Sequence, residues 1–400
     1  MKIAVVAPTY IPARRANTIQ VMKMTQALAD RGHSVRLVVP GSPPPQAGPE
    51  GYWAQLAHHY GLQQHFPVDW LPANPRLRGY DFSLRAVRWA RRWNADLLYT
   101  RLPQAAAFAS LSGSETILEV HDLPQGNMGP LMFRLFLKGR GARRLVVITR
   151  ILADDLVILG GPASGRLTLI APDGVDLDRY VDLPAPEEAR LALASQVSHL
   201  DPQRFTAGYS GHLYPGRGIE LLLALAGRLP EVNFLLVGGE PQDVERLQAE
   251  VDSRRLQNVI LAGFVPNAEL PRYQAASDVL LMPYQRRVAA SSGGDISRYL
   301  SPMKLFEYLA CGRAILSSDL PVLCEVLSSN NAVLLPPEDP EAWAAAIKNL
   351  QTYPNRRADL AAQARQSANH YTWDRRAESI LAGFENAASH PEVNWKFIHD

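Results

Sequence analysis

Cysteine is nearly absent, with Cys311 and Cys324 the only two in 400 residues. Two cysteines cannot build the disulfide framework of a small secreted domain, and no C-x-x-C or Cys/His cluster offers zinc-like spacing, so a reducing compartment fits best. No stretch reaches the roughly 18 uninterrupted apolar residues of a membrane span. The N-terminus enters a strand pattern at once, Lys2-Ile3-Ala4-Val5-Val6-Ala7-Pro8, with no basic-then-apolar leader. A cytoplasmic protein is therefore expected. The first strand is followed by Pro8-Thr9-Tyr10-Ile11-Pro12 rather than G-x-G-x-x-G, which argues against an NAD-dependent dehydrogenase. No Asp-x-Asp stands at a strand end, so no metal and no other cofactor is expected, and no internal repeat of roughly 20 to 50 residues is seen. Charge of one sign is also scarce, with a net of +2, but it is unevenly placed. Arg76, Arg78, Arg85, Arg88, Arg91 and Arg92 crowd one segment, and Arg134, Lys138, Arg140, Arg143 and Arg144 fall in a stretch without an acid. No nucleic-acid recognition motif accompanies these arginines.

What is present describes a folded chain too long for one ordinary core, 47% hydrophobic and 20% charged. Short Val/Ile/Leu-rich runs alternate with segments of helical period, the pattern of parallel strands linked by crossover helices. In the first half the expected strands are 2–8, 34–40, 96–101, 116–121, 145–149 and 167–171. Between the first two, Val21, Met24 and Leu28 fall on one helical face while Gln20, Lys23, Gln26 and Asp30 point elsewhere, and Gly32 ends the helix. Ser42-Pro43-Pro44-Pro45 opens a polar loop to about Gly51. Proline- and acid-rich sequence from Tyr180 to Gln203 marks a linker and a short helix. A second series follows, with strands at 206–210, 233–237, 259–261, 279–282, 314–317 and 332–335, and then helical sequence from Asp339 to about Ala388. The expectation is an α/β chain of two Rossmann-like domains facing across a cleft, 1–185 and 186–374, with a terminal helix at about 375–400 packing back on the first domain.

Two constellations carry chemistry. In Ser301-Pro302-Met303-Lys304-Leu305-Phe306-Glu307-Tyr308-Leu309-Ala310-Cys311-Gly312, Ser301 at N-cap, Pro302 at N1 and Gly312 after the last turn bound a short helix. It follows Ser291-Ser292-Gly293-Gly294, so its free N–H groups and positive dipole end suit a diphosphate. Glu307, two turns along, could accept both hydroxyls of a ribose. The second is Tyr209-Ser210-Gly211-His212-Leu213-Tyr214-Pro215-Gly216-Arg217-Gly218, a strand-to-helix loop at the carboxyl end of a sheet, where open α/β sheets bind ligands. Its glycines let backbone approach closely, and Arg217 can fork onto phosphate oxygens. Val237-Gly238-Gly239-Glu240 closes another strand. Phe264, in Gly263-Phe264-Val265-Pro266, either meets a flat base or is a core aromatic.

These turns resemble the donor half of the large family 4 of retaining GT-B glycosyltransferases, and the likeness covers nearly the whole chain. The resemblance places the two basic positions of the family's diphosphate loop on His212 and Arg217, and its two glutamates on Tyr299 and Glu307. Glu307 thereby takes the ribose-binding role, while Tyr299 departs from the pattern, as in members with a Ser-Pro-x-Lys-Leu-Phe-Glu-Tyr helix. Lys304 joins the phosphate contacts. Gly211, Gly238, Val265, Pro302 and Met303 complete the donor side. Ala16-Asn17-Thr18 stands where many members carry a Gly-Gly loop, so Asn17 and Thr18 fall on the acceptor side, with either able to cap the helix. Arg101 and His121 follow strands and face the same cleft, His121 toward the donor sugar. Ala171-Pro172-Asp173-Gly174-Val175-Asp176 resembles the family's Pro-Asn-Gly-Val-Asp turn, which is mainly structural.

The implied reaction moves a sugar from a nucleotide-sugar, by family frequency a UDP-sugar, to a glycan, lipid-linked or small-molecule acceptor, without metal or a protein nucleophile. The rivals are a nucleotide-sugar epimerase or hydrolase and a non-catalytic nucleotide-sugar-binding protein. The run Leu131-Met132-Phe133-Arg134-Leu135-Phe136-Leu137-Lys138 reads equally as a helix resting on an anionic membrane and as an ordinary buried helix with basic ends.

Overall fold

A computed structural model of the chain describes residues 1–43, 49–158, 160, 167–289 and 294–384. Two all-parallel sheets organise it. The first comprises β1 (Lys2–Val6), β2 (Ser34–Pro40), β3 (Val68–Leu71), β4 (Leu97–Thr100), β5 (Thr116–Val120), β6 (Ala142–Val147) and β7 (Thr168–Ile170), in the order β3-β2-β1-β4-β5-β6-β7. The second comprises β8 (Thr206–Ser210), β9 (Asn233–Val237), β10 (Val259–Gly263), β11 (Val279–Met282), β12 (Ala314–Ser318) and β13 (Val333–Leu335), in the order β10-β9-β8-β11-β12-β13. Both orders reverse beside the first strand, the doubly wound arrangement in which ligands bind beyond the strand carboxyl ends at the reversal. The fully buried runs of β4, β5, β8, β9, β11 and β12 are what a sheet covered on both faces requires.

Helices α1 (Ala16–Asp30), α2 (Pro49–Tyr60), α3 (Tyr80–Arg92), α4 (Pro103–Leu111), α5 (Gly129–Lys138) and α6 (Arg150–Ile158) serve the first sheet. The second carries α7 (Pro186–Leu193), α8 (Ile219–Arg228), α9 (Pro241–Ser253), α10 (Leu270–Ala275), α11 (Met303–Cys311), α12 (Pro340–Thr352) and α13 (Pro354–Ala368). The last described helix, α14 (Trp373–Leu381), turns back to the first sheet, where Trp373, Ala377, Ile380 and Leu381 join the core of Ile3, Val5, Val21 and Leu28. Ile380 and Leu381, fully buried, each contribute about 1.5–3 kcal/mol.

Several local expectations are revised. The helix in α1 buries Val21, Met24 and Leu28, but Gln20, Lys23 and Gln26 are buried as well. The helix is covered by the sheet on one side and by neighbouring segments on the other, and each polar head has a partner: Gln20 donates to Glu119, Lys23 pairs with Asp176, and Gln26 accepts from the Gln63 and Gln64 amides. Its N-cap is Arg15 without a side-chain hydrogen bond, so neither Asn17 nor Thr18 caps it. The Thr18 hydroxyl is occupied by that of Thr9 instead. In α11 the N-cap is Pro302, Ser301 does not cap, and Glu307 lies one turn in rather than two. Gly312 ends that helix in the left-handed conformation, φ 62°. Of the polar loop expected from Ser42 to about Gly51, residues 44–48 lie outside the described residues, and α2 already begins at Pro49. The expected Ser291-Ser292-Gly293 lead into α11 also lies outside them, and a 3-10 turn at Ser297–Tyr299 stands between Gly294 and the helix.

Candidate active site

A cleft of about 620 Å³ opens between the carboxyl ends of the two sheets. Its second-domain wall begins with the loop after β8. Gly211 adopts φ 138° and Gly238 φ 115°. A Cβ on Gly211 would lie 2.7 Å from Lys304 Nζ, and one on Gly238 would lie 2.4 Å from the Gly211 carbonyl oxygen, so both turns need glycine to pack against each other and α11. Lys304, in the first turn of α11, places Nζ 3.8 Å from the Tyr209 ring centroid and 5.4 Å from that of Tyr284. Burial, and then the Arg217 guanidinium, hold its ammonium well below the ordinary lysine pKa, with Glu307 opposing. Arg217 lies over Tyr284 and donates to the Ala289 carbonyl at 3.4 Å, while its buried Nε has no partner among the described residues. Two basic side chains therefore meet over Tyr284 beside the α11 N-terminus with donor capacity to spare, the condition for holding a dense anion.

His212 stacks flat on Tyr214, centroids 4.7 Å apart. Burial, followed by Arg217 and Lys304, pushes its imidazole down to about 4, so it is neutral near pH 7. With His212 neutral, Arg217 and Lys304 are the basic side chains this wall offers. Glu307 is 9% exposed, and its Oε2 accepts from Gln274 Nε2 at 3.3 Å. Gln274 also donates to Ser210 Oγ and accepts from the Tyr180 hydroxyl, which fixes its orientation. Pro302, Met303 and Val265 line the same wall. Phe264 lines it too, but its ring stacks on His59, centroids 5.5 Å apart, and lies 4.1 Å under the Arg14 guanidinium. It is neither a free platform nor a deep core aromatic; it is an aromatic of the seam between the domains.

The opposite wall collects groups from the ends of β4, β5 and β7. His121 follows β5, and its Nε2 meets Glu119 Oε1. Glu119 is fully enclosed; it also accepts from Gln20 Nε2 at 2.7 Å and lies 3.1 Å from the Arg376 guanidinium of α14. Burial raises its carboxyl, but Arg376 and then His121 outweigh that and hold it below its ordinary value. Burial and Arg101 lower the His121 imidazole, and burial raises the Asp173 carboxyl against the pull of His121 and Arg376. Arg101 Nη1 reaches Gln20 Oε1 at 3.2 Å and the Asn17 carbonyl at 3.4 Å. Asn17 is exposed on the cleft, whereas Thr18 faces inward and does not line it.

The structure thus brings the predicted His121, Arg101 and Asn17 together with Arg217, Lys304, Gly211, His212, Gly238, Phe264, Val265, Pro302, Met303 and Glu307 around one space, and leaves Thr18 out. It adds Arg14, Arg15, Gln20, Asp173, Tyr284 and Glu240, which sequence reasoning did not single out. Glu119 carried a signal, since it stands two residues before His121 on the same face of a strand. Arg376 carried none. Glu119, His121 and Asp173 each offer a ligand atom within 4.8 Å of the others, the one such group among the described residues. Two guanidiniums stand against it, Arg376 already paired with Glu119, and their charge opposes capture of a divalent cation. Tyr299 lines the cleft but offers it no carboxylate, and its hydroxyl is engaged elsewhere, donating to Asp155 of α6 at 2.7 Å beside the bidentate Arg298–Asp155 pair.

Comparison with known proteins agrees with this geometry. Residues 18–179 match the model described as Glycosyltransferase Family 4, and residues 204–352 match that of Glycosyl transferases group 1. A phosphatidyl-myo-inositol mannosyltransferase of Mycolicibacterium smegmatis is 24% identical over 410 residues, covering 97% of this chain and 94% of that one. A D-inositol 3-phosphate glycosyltransferase of Xylanimonas cellulosilytica is 30% identical over 250 residues, a match that spans 57% of that relative's length. Among solved structures, HepE of Anabaena in complex with UDP superposes with a TM-score of 0.72 at 18% identity, over 96% of this chain and all of that one. The first match takes in β2 to β7 and the second β8 to β13, so each sheet lies in a stretch that matches a glycosyltransferase model, and the two-sheet fold is that of GT-B glycosyltransferases.

Proposed function

We propose that the chain is a retaining glycosyltransferase that takes a sugar from a nucleotide-sugar, foremost a UDP-sugar, and passes it to a glycan, lipid-linked or small-molecule acceptor in glycan or glycoconjugate biosynthesis. The observation that carries this reading is the wall on which Lys304, Arg217 and the α11 N-terminus converge beside backbone at Gly211 and Gly238, with Glu307 one turn further along. A diphosphate fits the cations and the free N–H groups; a ribose fits the carboxylate; Val265 and the backbone around Phe264 border the base. His121 and Arg101, across the cleft, face the sugar and the acceptor. The UDP bound in HepE supports the choice of nucleotide, and the names of the inositol-lipid and inositol-phosphate relatives support a polar or lipid-linked acceptor.

In this mechanism Lys304 and Arg217 neutralise the charge that develops on the diphosphate as the glycosidic bond breaks. The departing phosphate oxygen takes the acceptor's proton on the same face of the sugar, so configuration is retained and no protein nucleophile is needed. Closure of the cleft excludes water and suppresses hydrolysis. Incubation with UDP-, GDP- and ADP-sugars and a panel of acceptors, read by NMR at the new anomeric centre, tests it: transfer with retention supports the reading. Donor consumed equally without acceptor would select the hydrolase or epimerase, and binding without turnover the non-catalytic binder.

Peripheral contact with an anionic membrane is the companion proposal. In α5, Met132, Phe133 and Phe136 are buried while Leu131 and Arg134 are exposed, and α3 presents Leu84 beside exposed Arg85 and Arg88. Among the described residues no helix is long and apolar enough to cross a membrane. Flotation with phosphatidylglycerol vesicles, but not with phosphatidylcholine vesicles, is the expected result at low salt.

A further inference from the structure

Asp173 stands at the floor of the cleft where the resembled turn carries asparagine. It is 4% exposed, lines the cleft, and its Oδ1 has no hydrogen-bond partner among the described residues. A buried acceptor left unmade costs about 1–3 kcal/mol, more for a charged group, so it calls for an explanation. The turn that carries it is tightly held. Arg376 Nε donates to the Pro172 carbonyl at 2.9 Å, the Val175 amide donates to the Tyr371 carbonyl at 2.9 Å, and a Cβ on Gly174 would lie 2.7 Å from the Trp373 amide nitrogen. The backbone that carries the carboxyl group is therefore fixed against the start of α14.

The charges around it select its ligand. Two guanidiniums, of Arg101 and Arg376, stand against two carboxyl groups, of Glu119 and Asp173, so the floor lacks the basic surplus of the other wall. A diphosphate gains nothing there and is already served by Lys304 and Arg217 on the other wall. A neutral hydroxyl, which can donate to Oδ1 and accept from Arg101, suits the floor. We propose that Asp173 is a substrate-contacting residue whose carboxylate accepts a hydrogen bond from a sugar hydroxyl, with Arg376 of α14 as its positioning residue. This rests on the glycosyltransferase reading of the cleft. The hydroxyl belongs either to the transferred sugar or to the acceptor.

The test compares wild type with Asp173→Asn, which keeps the shape of the side chain and restores the residue of the resembled turn, and with Arg376→Lys. Thermal unfolding checks the fold, calorimetry gives the affinity for the nucleoside diphosphate that wild type binds, and steady-state kinetics follow hydrolysis of UDP-, GDP- and ADP-sugars without acceptor and transfer with acceptor. In Asp173→Asn the nucleotide affinity is expected to stay within twofold while kcat/KM falls at least tenfold. A fall in hydrolysis and transfer alike assigns the hydroxyl to the donor sugar; a fall in transfer alone, with a raised acceptor KM, assigns it to the acceptor. Arg376→Lys is expected to lose kcat/KM in the same arm. Both rates within twofold of wild type would overturn the proposal, as would a parallel loss of stability and nucleotide affinity, or wild-type turnover abolished by EDTA. If wild type turns over no nucleotide-sugar at all, the transferase reading fails and the proposal falls with it; wild-type turnover with an unchanged Asp173→Asn sinks the proposal alone.

Discussion

Lys304 depends on its surroundings for its charge. Burial and Arg217 depress its pKa, so the ammonium loses its proton at lower pH than an ordinary lysine does. Nucleotide diphosphate affinity should therefore decline with rising pH in wild type, and the decline should be smaller in Lys304→Met, which should itself bind at least tenfold more weakly; calorimetry from neutral to alkaline pH reads both. Glu307→Gln keeps the shape but removes the charge that strengthens a hydroxyl hydrogen bond, and a loss of about 1.5–3 kcal/mol in nucleoside binding is expected. Lys23 gives a stability test. Its pKa is pushed down to about 8 from 10.5, chiefly by burial and despite Asp176. The unfolded chain then holds the extra proton between those values, so this lysine makes stability rise with pH across that window. Urea denaturation at the two ends of the window should show wild type gaining on Lys23→Met; an equal response in both would refute the assignment.

Among elements, α6 shows how the two halves are joined away from α14. Glu325 of the second domain accepts from the Arg150 and Ile151 amides at 2.8 and 3.1 Å, so a carboxylate from the other domain satisfies the first-turn donors of α6. Further along, Asp155 holds Arg298 and Tyr299. Glu325→Ala is expected to cost about 1 kcal/mol, the usual value of a lost cap, and Asp155→Ala to loosen the domain pair, seen as a larger radius of gyration in small-angle scattering; an unchanged radius would place the restraint elsewhere.

Legibility from sequence also varied by element. Strands buried on both faces were readable to the residue, as in Asn233–Val237 and Val279–Met282, because near-continuous apolar runs have few alternatives. The edge strand β3 escaped, since Val68-Asp69-Trp70-Leu71 is half exposed and Asp69 pairs with Arg36 of its neighbour. Glu307, Arg217 and Lys304 were legible because helix ends and glycine turns are local. Asp173 and Arg376 were not, because what makes them notable is contact between opposite ends of the chain.

For the whole molecule, α14 decides whether the first domain is complete without the end of the chain. It fills the core beside Val21 and Leu28, and Arg376 answers the buried charge of Glu119. Removing one partner of a buried ion pair costs about 3–5 kcal/mol, so Arg376→Ala should unfold the first domain at markedly lower temperature, a change visible by calorimetric scanning. The second domain, whose core of Leu222, Phe234, Leu281 and Trp343 receives nothing from α14, should be affected less. Two transitions where wild type shows one would express that difference; a single, unshifted transition would count against the role given to α14.

The central claim is that the second-domain wall of the cleft holds the nucleotide of a sugar donor through Glu307 and the Lys304–Arg217 pair. Titration calorimetry of wild type and Glu307→Ala with UDP, GDP and ADP, each with and without EDTA, tests it most directly. Saturable, EDTA-insensitive binding of one nucleotide, weakened at least tenfold by the substitution, is the predicted result. Binding of none of the three, or equal binding by wild type and variant, would contradict it.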